Sequence, residues 1–180
     1  MTASINHSHA ADGDLKRLRD QIRDINEANG WYDEERTHAE GRALLHSEVS
    51  EAFEAFRDHG FADATARVSA VGAVPKPEGV GSELADVLIR LLDEVARRQV
   101  FPWWANCNLV QIQPRPLEGG ETFGGLIADL HLTIATRNLS GLLPRLLAVA
   151  DFAGVDLLAE THRKLAYNRT RGYRHGGKRI

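Results

Sequence analysis

Apolar residues recur along most of the chain at intervals of three or four positions, which is the spacing of one face of an α-helix. The first such segment has apolar residues at Leu15, Leu18, Ile22 and Ile25. Asp12 and Asp14 are its candidate N-caps, and Asn29-Gly30 is typical of a helix end. We therefore predict a first helix that ends near Ala28, followed by a turn at Trp31.

The same periodicity predicts five further helices, over residues 34–59, 82–100, 122–137, 140–152 and 155–170. Ser82 is the candidate N-cap of the third helix, and Pro144 lies in the first turn of the fifth, where proline is tolerated. Residues 61–79 are rich in glycine and proline, which predicts a loop with one short helical turn. Strand patterns are scarce, so the expected fold is an all-α bundle of five to six helices.

Composition bounds the classes of protein that need to be considered. The chain has 180 residues, which suits one domain, and we assign it to residues 14–175 between an N-terminal tail (1–13) and a C-terminal tail (176–180). The net charge of −3 offers no general attraction to nucleic acid or membrane. A single cysteine, Cys107, excludes a disulfide within the chain and favours a reducing, cytoplasmic location. No apolar run approaches the length of a membrane span.

Two pairs of carboxylates stand out on the predicted second and third helices. Glu48 and Glu51 form one pair, and Glu83 and Asp86 form the other. Residues three positions apart lie about 60° apart around a helix and about 4.5 Å along it, so each pair shares one face. Either pair alone is usually a solvated helix face, but both adjoin strongly apolar positions. If the two helices pack together, the pairs form an all-oxygen cluster suited to Mg²⁺, with Mn²⁺ as an alternative.

At these residues the chain resembles the MazG-like all-α nucleoside triphosphate pyrophosphohydrolases, whose signature is Glu-x-x-Glu on one helix and Glu-x-x-Asp on a later one. The run from Lys164 to Arg174 is also similar to the basic segment that ends some members of that family. The segment between the two acidic pairs, Ala62–Gly81, is longer than usual for the family. The resemblance implies a Mg²⁺-dependent enzyme that cleaves a nucleoside triphosphate to the monophosphate and pyrophosphate, with cleansing of the nucleotide pool as one role, and that assembles as a homodimer or homotetramer.

The resemblance also implies roles for individual residues. Glu48, Glu51, Glu83 and Asp86 would bind the metal, and Glu48 would also orient or deprotonate the attacking water, whose pKa the metal lowers. Trp31 is the first choice for stacking on the base. Arg90 would contact a phosphate or pair with a carboxylate of the cluster. The remaining substrate contacts would come from Lys164, Asn168, Arg171, Tyr173 and Arg174.

Two alternative hypotheses assign the chain to other classes of protein. A carboxylate-bridged di-iron or di-manganese protein would need Glu-x-x-His on two helices, and the chain lacks histidine at that offset. A non-catalytic module would bind nucleic acid or a protein partner through the basic residues of the C-terminal tail, although no nucleic-acid-binding motif is present elsewhere.

Five other residues have plainer interpretations. Asp93 is either an outer residue of the cluster or a solvated charge. His46 and His131 are more typical of structural histidines than of ligands to a hard cation. Trp103 and Trp104 are expected in the core or in an interface.

Overall fold

The computed structural model describes residues 13–61, 67–69 and 75–179, and for 67–69 it describes the backbone alone. These residues form six α-helices of at least 12 residues: α1 (Leu15–Ala28), α2 (His38–His59), α3 (Val80–Arg98), α4 (Phe123–Ala135), α5 (Leu139–Ala153) and α6 (Leu157–Asn168). A four-residue turn, α7 (Arg174–Gly177), lies near the C-terminal end. The predicted all-α bundle is therefore confirmed.

Helix α3 is the centre of the bundle. It packs against α1, α2, α5 and α6, while α4 packs against α2 and α5. Thirteen of its 19 residues are buried, including Leu84, Leu88 and Leu91. A helix that is apolar on nearly all sides is stable only when other helices cover it. Among the described residues, no helix is long and apolar enough to cross a membrane.

The first two helices begin at side chains that cap them. Asp14 accepts a hydrogen bond from the backbone of Arg17 and caps α1. Helix α2 begins four residues later than predicted, because Thr37 and Glu40 form a capping box there. Gly30 ends the turn after α1 with a positive φ of 75°, and a Cβ at this position would collide with the ring of Tyr173.

The segment between α2 and α3 was predicted to be a loop, and that prediction is wrong in part. The structure has a short antiparallel hairpin of β1 (Arg67–Ser69) and β2 (Lys76–Glu78). Residues 62–66 and 70–74 lie outside the described part of the chain. Ser82 is not the N-cap of α3, which begins at Val80 after Gly79. Its hydroxyl donates to the carbonyl of Pro77 instead, at 2.9 Å, and thereby joins β2 to α3.

Pro144 was predicted in the first turn of its helix, but it lies farther inside α5. A proline there has no N–H to donate to the carbonyl four residues earlier, which is that of Ser140. The indole N–H of Trp104 donates to this carbonyl at 3.1 Å, and Trp104 is fully buried. Trp104 is thus the core residue that was predicted, whereas Trp103 is 61% exposed.

Candidate functional site

The two acidic pairs come together where α2 packs against α3. Oxygen atoms of Glu48, Glu83 and Asp86 lie within 4.8 Å of one another, and we call these three residues the carboxylate cluster. Glu48 is 8% exposed. Glu51 points outward, accepts a hydrogen bond from Ser47 at 3.0 Å and lines the same cavity as the cluster. The structure therefore groups three of the four predicted carboxylates and places the fourth at their edge.

Two cations partly neutralise the carboxylate cluster. Arg90 Nε donates to Glu48 Oε1 at 2.9 Å. Lys164 Nζ lies 2.6 Å from Asp86 Oδ2 and 3.9 Å from Glu83 Oε1, and it also donates to Ser82 Oγ at 2.8 Å. Of the two roles considered for Arg90, the structure shows the pairing with a cluster carboxylate.

Arg90 and Lys164 do not fully offset the negative charge of the carboxylate cluster. Burial, together with the charge of Asp86, raises the pKa of Glu48 despite the contact with Arg90. Burial also raises the pKa of Glu83 to about 7, with Lys164 opposing the shift and Asp86 adding to it. For Lys164, burial would lower the pKa, but Asp86 and Glu83 outweigh burial and the pKa rises. Raised carboxylate pKa values mean that the site favours added positive charge, as a proton or as a metal ion.

The donor atoms of the cluster fit a hard divalent cation. All three side chains offer carboxylate oxygens, the ligand type that Mg²⁺ and Mn²⁺ prefer. Two oxygens bound to one Mg²⁺ are at most about 4.2 Å apart, since each Mg–O distance is about 2.1 Å. The observed upper limit of 4.8 Å is only slightly larger. Small side-chain adjustments of Glu48, Glu83 and Asp86 would bring all three onto one ion.

The carboxylate cluster forms one wall of a cavity of about 330 Å³. This volume lies near the lower end of the range for small-molecule sites, which is about 300 to 1,000 Å³. The lining of the same cavity also contains cations at Arg171, Lys178 and Arg179, and β2 contributes Lys76. Such a lining suits a strongly anionic ligand, because these cations and a metal bound by the carboxylates would both attract it.

A third part of the cavity wall is aromatic and polar. Trp31 lies there, with its backbone N–H bonded to the carbonyl of Asn26 at 2.9 Å and the ring of His175 packed edge-on at 5.1 Å. Burial and the nearby charge of Arg171 lower the pKa of His175 to about 4, so its ring is neutral near pH 7. Asn168 Oδ1 and His175 Nε2 are buried and have no hydrogen-bond partner among the described residues. Unpaired polar atoms in a cavity wall favour a polar ligand there.

The predicted substrate residues fall into two groups. Trp31, Arg90, Lys164, Asn168 and Arg171 line the cavity. Tyr173 and Arg174 do not line it, and their polar atoms fix the C-terminal segment to the turn after α1. Tyr173 donates to Asp33 at 2.8 Å, and Arg174 binds the carbonyl of Gly30 at 3.2 Å and Glu34 at 3.1 Å.

Sequence reasoning missed several cavity residues. His175, Lys178 and Arg179 follow the basic run that carried the family resemblance, so extending that run by five residues would have included them. Nothing in the sequence indicated that Lys76 lines the cavity, because it lies in the hairpin that was predicted to be a loop. Asp93 is neither solvated nor part of the cluster, since it is 1% exposed and bound by residues of α1 and of the turn after it.

The two histidines interpreted as structural contact each other rather than the cluster. Nδ1 of His46 and Nδ1 of His131 are 2.8 Å apart, and their ring centroids are 5.1 Å apart with nearly parallel planes. One ring donates and the other accepts, which links α2 to α4. Comparison of the chain with protein-family models, with curated proteins and with solved structures gave no match in any of the three. The family resemblance therefore stays a prediction.

Proposed function

We propose that the chain is a Mg²⁺-dependent nucleoside triphosphate pyrophosphohydrolase, which converts a nucleoside or deoxynucleoside triphosphate to the monophosphate and pyrophosphate. The observation that carries the proposal is one cavity lined by three kinds of side chain. They are the carboxylates of the cluster, the cations Arg171, Lys178 and Arg179, and the aromatic ring of Trp31. These are the groups needed for a metal, a phosphate chain and a base, in that order.

In the proposed reaction, a water oxygen forms a bond to the α-phosphorus while the bond between that phosphorus and the oxygen bridging to the β-phosphate breaks. The electron pair leaves with pyrophosphate, and the proton of the water passes to a carboxylate. A bound Mg²⁺ would supply charge neutralisation of the phosphates and acidification of the water. Glu48, Glu83 and Asp86 would hold this ion.

Glu48 is the best candidate for accepting the proton. Arg90 Nε donates to Oε1 of Glu48 at 2.9 Å, which fixes the orientation of the carboxylate and leaves Oε2 to accept the proton in the proposed reaction. The raised pKa of Glu48, which results from burial and from Asp86, makes the carboxylate a better base near neutral pH. Arg171, Lys178 and Arg179 would bind the phosphate oxygens, and Trp31 would stack on the base.

The competing reading, a module that binds nucleic acid or a protein through a basic tail, has less support. The tail is folded back onto the body of the protein, where Arg174 pairs with Glu34. Arg171, Lys178 and Arg179 line the same cavity as the carboxylates. A cytoplasmic homodimer or homotetramer, as the sequence predicts, completes the proposal, and light scattering on the purified protein would measure the oligomeric state.

The direct test is an assay of the purified protein with a panel of nucleoside and deoxynucleoside triphosphates and Mg²⁺, in which pyrophosphate and monophosphate are measured together. Glu48→Gln is expected to lower kcat by about 10²- to 10⁴-fold, the usual contribution of a general base. Glu27→Gln is the matched control, because Glu27 pairs with Arg23 on the exposed face of α1. Release of no pyrophosphate from any nucleotide by the unmodified protein would refute the proposal.

A further inference from the structure

We propose that Lys164 is a built-in counter-ion of the carboxylate cluster and that it limits the binding of free divalent cations until a triphosphate arrives. The inference rests on the proposed function in that it takes the cluster as the metal site. It concerns the order in which the metal and the triphosphate bind, and the number of metal ions that bind. The proposed reaction alone determines neither.

The position of the Lys164 ammonium is fixed from two sides. It lies 2.6 Å from Asp86 Oδ2 and 2.8 Å from Ser82 Oγ. Ser82 gives its own hydrogen to the carbonyl of Pro77, so its oxygen is oriented to accept from Lys164. Lys164 is only 3% exposed, and Leu165 beside it belongs to the core. The ammonium therefore stays close to Asp86 and Glu83, where a metal ion would also have to lie.

The charges in and next to the cluster limit how many ions can be held. Glu48, Glu51, Glu83 and Asp86 provide four negative charges, and Arg90 and Lys164 provide two positive charges, so these six groups carry a net charge of −2 when all are ionised. One divalent cation neutralises this charge. The other cations that line the cavity add positive charge and oppose a second ion further. A second cation would leave an excess of positive charge in a partly buried cavity, unless the ligand brought negative charge of its own. A triphosphate does so.

The same arrangement predicts weak binding of the first ion. A divalent cation that touches Asp86 must lie within a few ångströms of the Lys164 ammonium, and like charges at that distance in a partly buried site repel strongly. The substrate would therefore bind as the metal–triphosphate complex, because its phosphates offset the repulsion. Asn168 lies one helical turn from Lys164 and lines the same cavity.

The test is a titration of the full chain with Mn²⁺ alone, without nucleotide, followed by electron paramagnetic resonance at pH 8. The unmodified protein is expected to bind one Mn²⁺ per chain. Lys164→Met and Lys164→Gln should each bind Mn²⁺ at least about tenfold more tightly, because a neighbouring positive charge has been removed. Lys16→Met is the matched control, since it removes the same charge from an exposed pair on α1, and its affinity should be unchanged.

Lys164→Gln covers the case in which Lys164→Met does not fold, because the amide of glutamine retains a donor for Asp86. Circular dichroism melts identify the variants that are folded. Binding of two or more Mn²⁺ per chain by the unmodified protein, or unchanged affinity in a folded Lys164 variant, would overturn the counter-ion proposal. Pyrophosphate release by the same preparation separates the two proposals. If the unmodified protein is active but the Lys164 variants bind Mn²⁺ with unchanged affinity, only the counter-ion proposal is refuted. Absence of Mn²⁺ binding in all proteins, with no pyrophosphate release, removes both.

Discussion

Helix α3 carries two pairs of acidic residues that lie in very different environments. Glu83 and Asp86 near its N-terminal end belong to the carboxylate cluster, and Asp93 and Glu94 lie about two turns later. All four lie on the same central helix. The first pair faces a cavity, and the second pair is enclosed by partners.

The enclosed pair is almost fully satisfied. Asp93 accepts hydrogen bonds from Asn26, Tyr32, Arg36 and Arg97, at 2.6 to 3.0 Å. Glu94 pairs with Arg36 at 2.8 Å and with Arg98 at 2.7 Å. Burial would raise the pKa of Asp93, but Arg36 and Arg97 outweigh burial and the pKa is lowered. This is the pattern of a structural ion network.

The comparison of the two pairs shows that burial of an acidic residue does not by itself indicate a functional site. A functional site is distinguished from a structural ion network by the number of cations around the acid and by whether the acid faces a cavity. Glu83 and Asp86 share one ammonium, that of Lys164, and the pKa of Glu83 is raised to about 7 by burial. The two regions are also connected, because Arg97 binds Asp93 and donates to the carbonyl of Trp31 at 2.7 Å. The enclosed network thus holds one wall of the cavity in place.

The largest expected effect is on stability and comes from the enclosed network. Arg36→Met leaves Asp93 and Glu94 short of a cation that both use. Loss of one partner from a buried ion pair costs about 3 to 5 kcal/mol. Urea denaturation at pH 7 should show a decrease of this size in the free energy of unfolding. Arg23→Met removes an exposed pair with Glu27 and should cost less than about 1 kcal/mol. Equal effects of the two variants would show that the enclosed network contributes no more to stability than an exposed ion pair.

The second effect is a pH dependence of opposite sign in the two regions. The pKa of Glu83 is about 7 in the folded protein against 4.5 as the reference value, so the folded state binds the extra proton between these values. The contribution of Glu83 to stability should therefore fall as the pH rises from 4.5 to 7, by about 3 kcal/mol at about 1.36 kcal/mol for each pH unit. His175, whose pKa burial lowers to about 4, contributes in the opposite direction, so the effect of Glu83 has to be measured as a difference between two proteins. Asp93, with its lowered pKa, contributes stability above its reference value of 3.8 that is lost in stronger acid.

Urea denaturation in EDTA between pH 3 and pH 8 would measure both slopes. The difference in the free energy of unfolding between the unmodified protein and Glu83→Gln should change by about 3 kcal/mol from pH 4.5 to pH 7, while the acid slope should be the same in both proteins. A difference that does not change with pH would show that the pKa of Glu83 is not raised in the folded protein.

A third, smaller effect distinguishes the two acid pairs by metal binding. An ion that binds only the folded state stabilises it by about 1.4 kcal/mol when its free concentration is ten times the dissociation constant. For a chain of this size that corresponds to an increase in Tm of about 3 to 6 °C. Millimolar Mg²⁺ or Mn²⁺ should produce this shift in the unmodified protein and in Glu27→Gln, but not in Asp86→Asn. No shift at any concentration up to tens of millimolar would argue against a metal site.

The sequence alone predicted most of the fold and the centre of the site. Helical periodicity and capping residues such as Asp14 are local signals, and they located six helices to within a few residues. The spacing of Glu48, Glu83 and Asp86, together with the apolar residues beside them, was enough to expect that they meet. The β1–β2 hairpin was missed because its strands have three residues each and carry no alternating pattern long enough to recognise.

Other features depend on contacts between distant parts of the chain. Whether Asp93 is solvated or enclosed depends on Arg36, which lies 57 positions away. The role of Tyr173 depends on the turn after α1, 140 positions away, where it binds Asp33. No spacing rule connects such residues. The same holds for Trp104, whose indole satisfies a carbonyl that Pro144 of α5 leaves without a donor.

The last effect concerns substrate binding and the part of the cavity that the enclosed network supports. Trp31→Ala removes the proposed stacking surface, and stacking of a base on an aromatic ring is worth about 1 to 3 kcal/mol. KM for the preferred nucleotide should therefore rise about tenfold or more while kcat changes little, because the ring does not touch the phosphates in the proposed complex. Trp103→Ala is the control, since Trp103 is exposed and lies outside the cavity. A fall in kcat without a change in KM would instead place Trp31 among the residues that align the reacting groups, and base recognition would have to be sought elsewhere in the cavity.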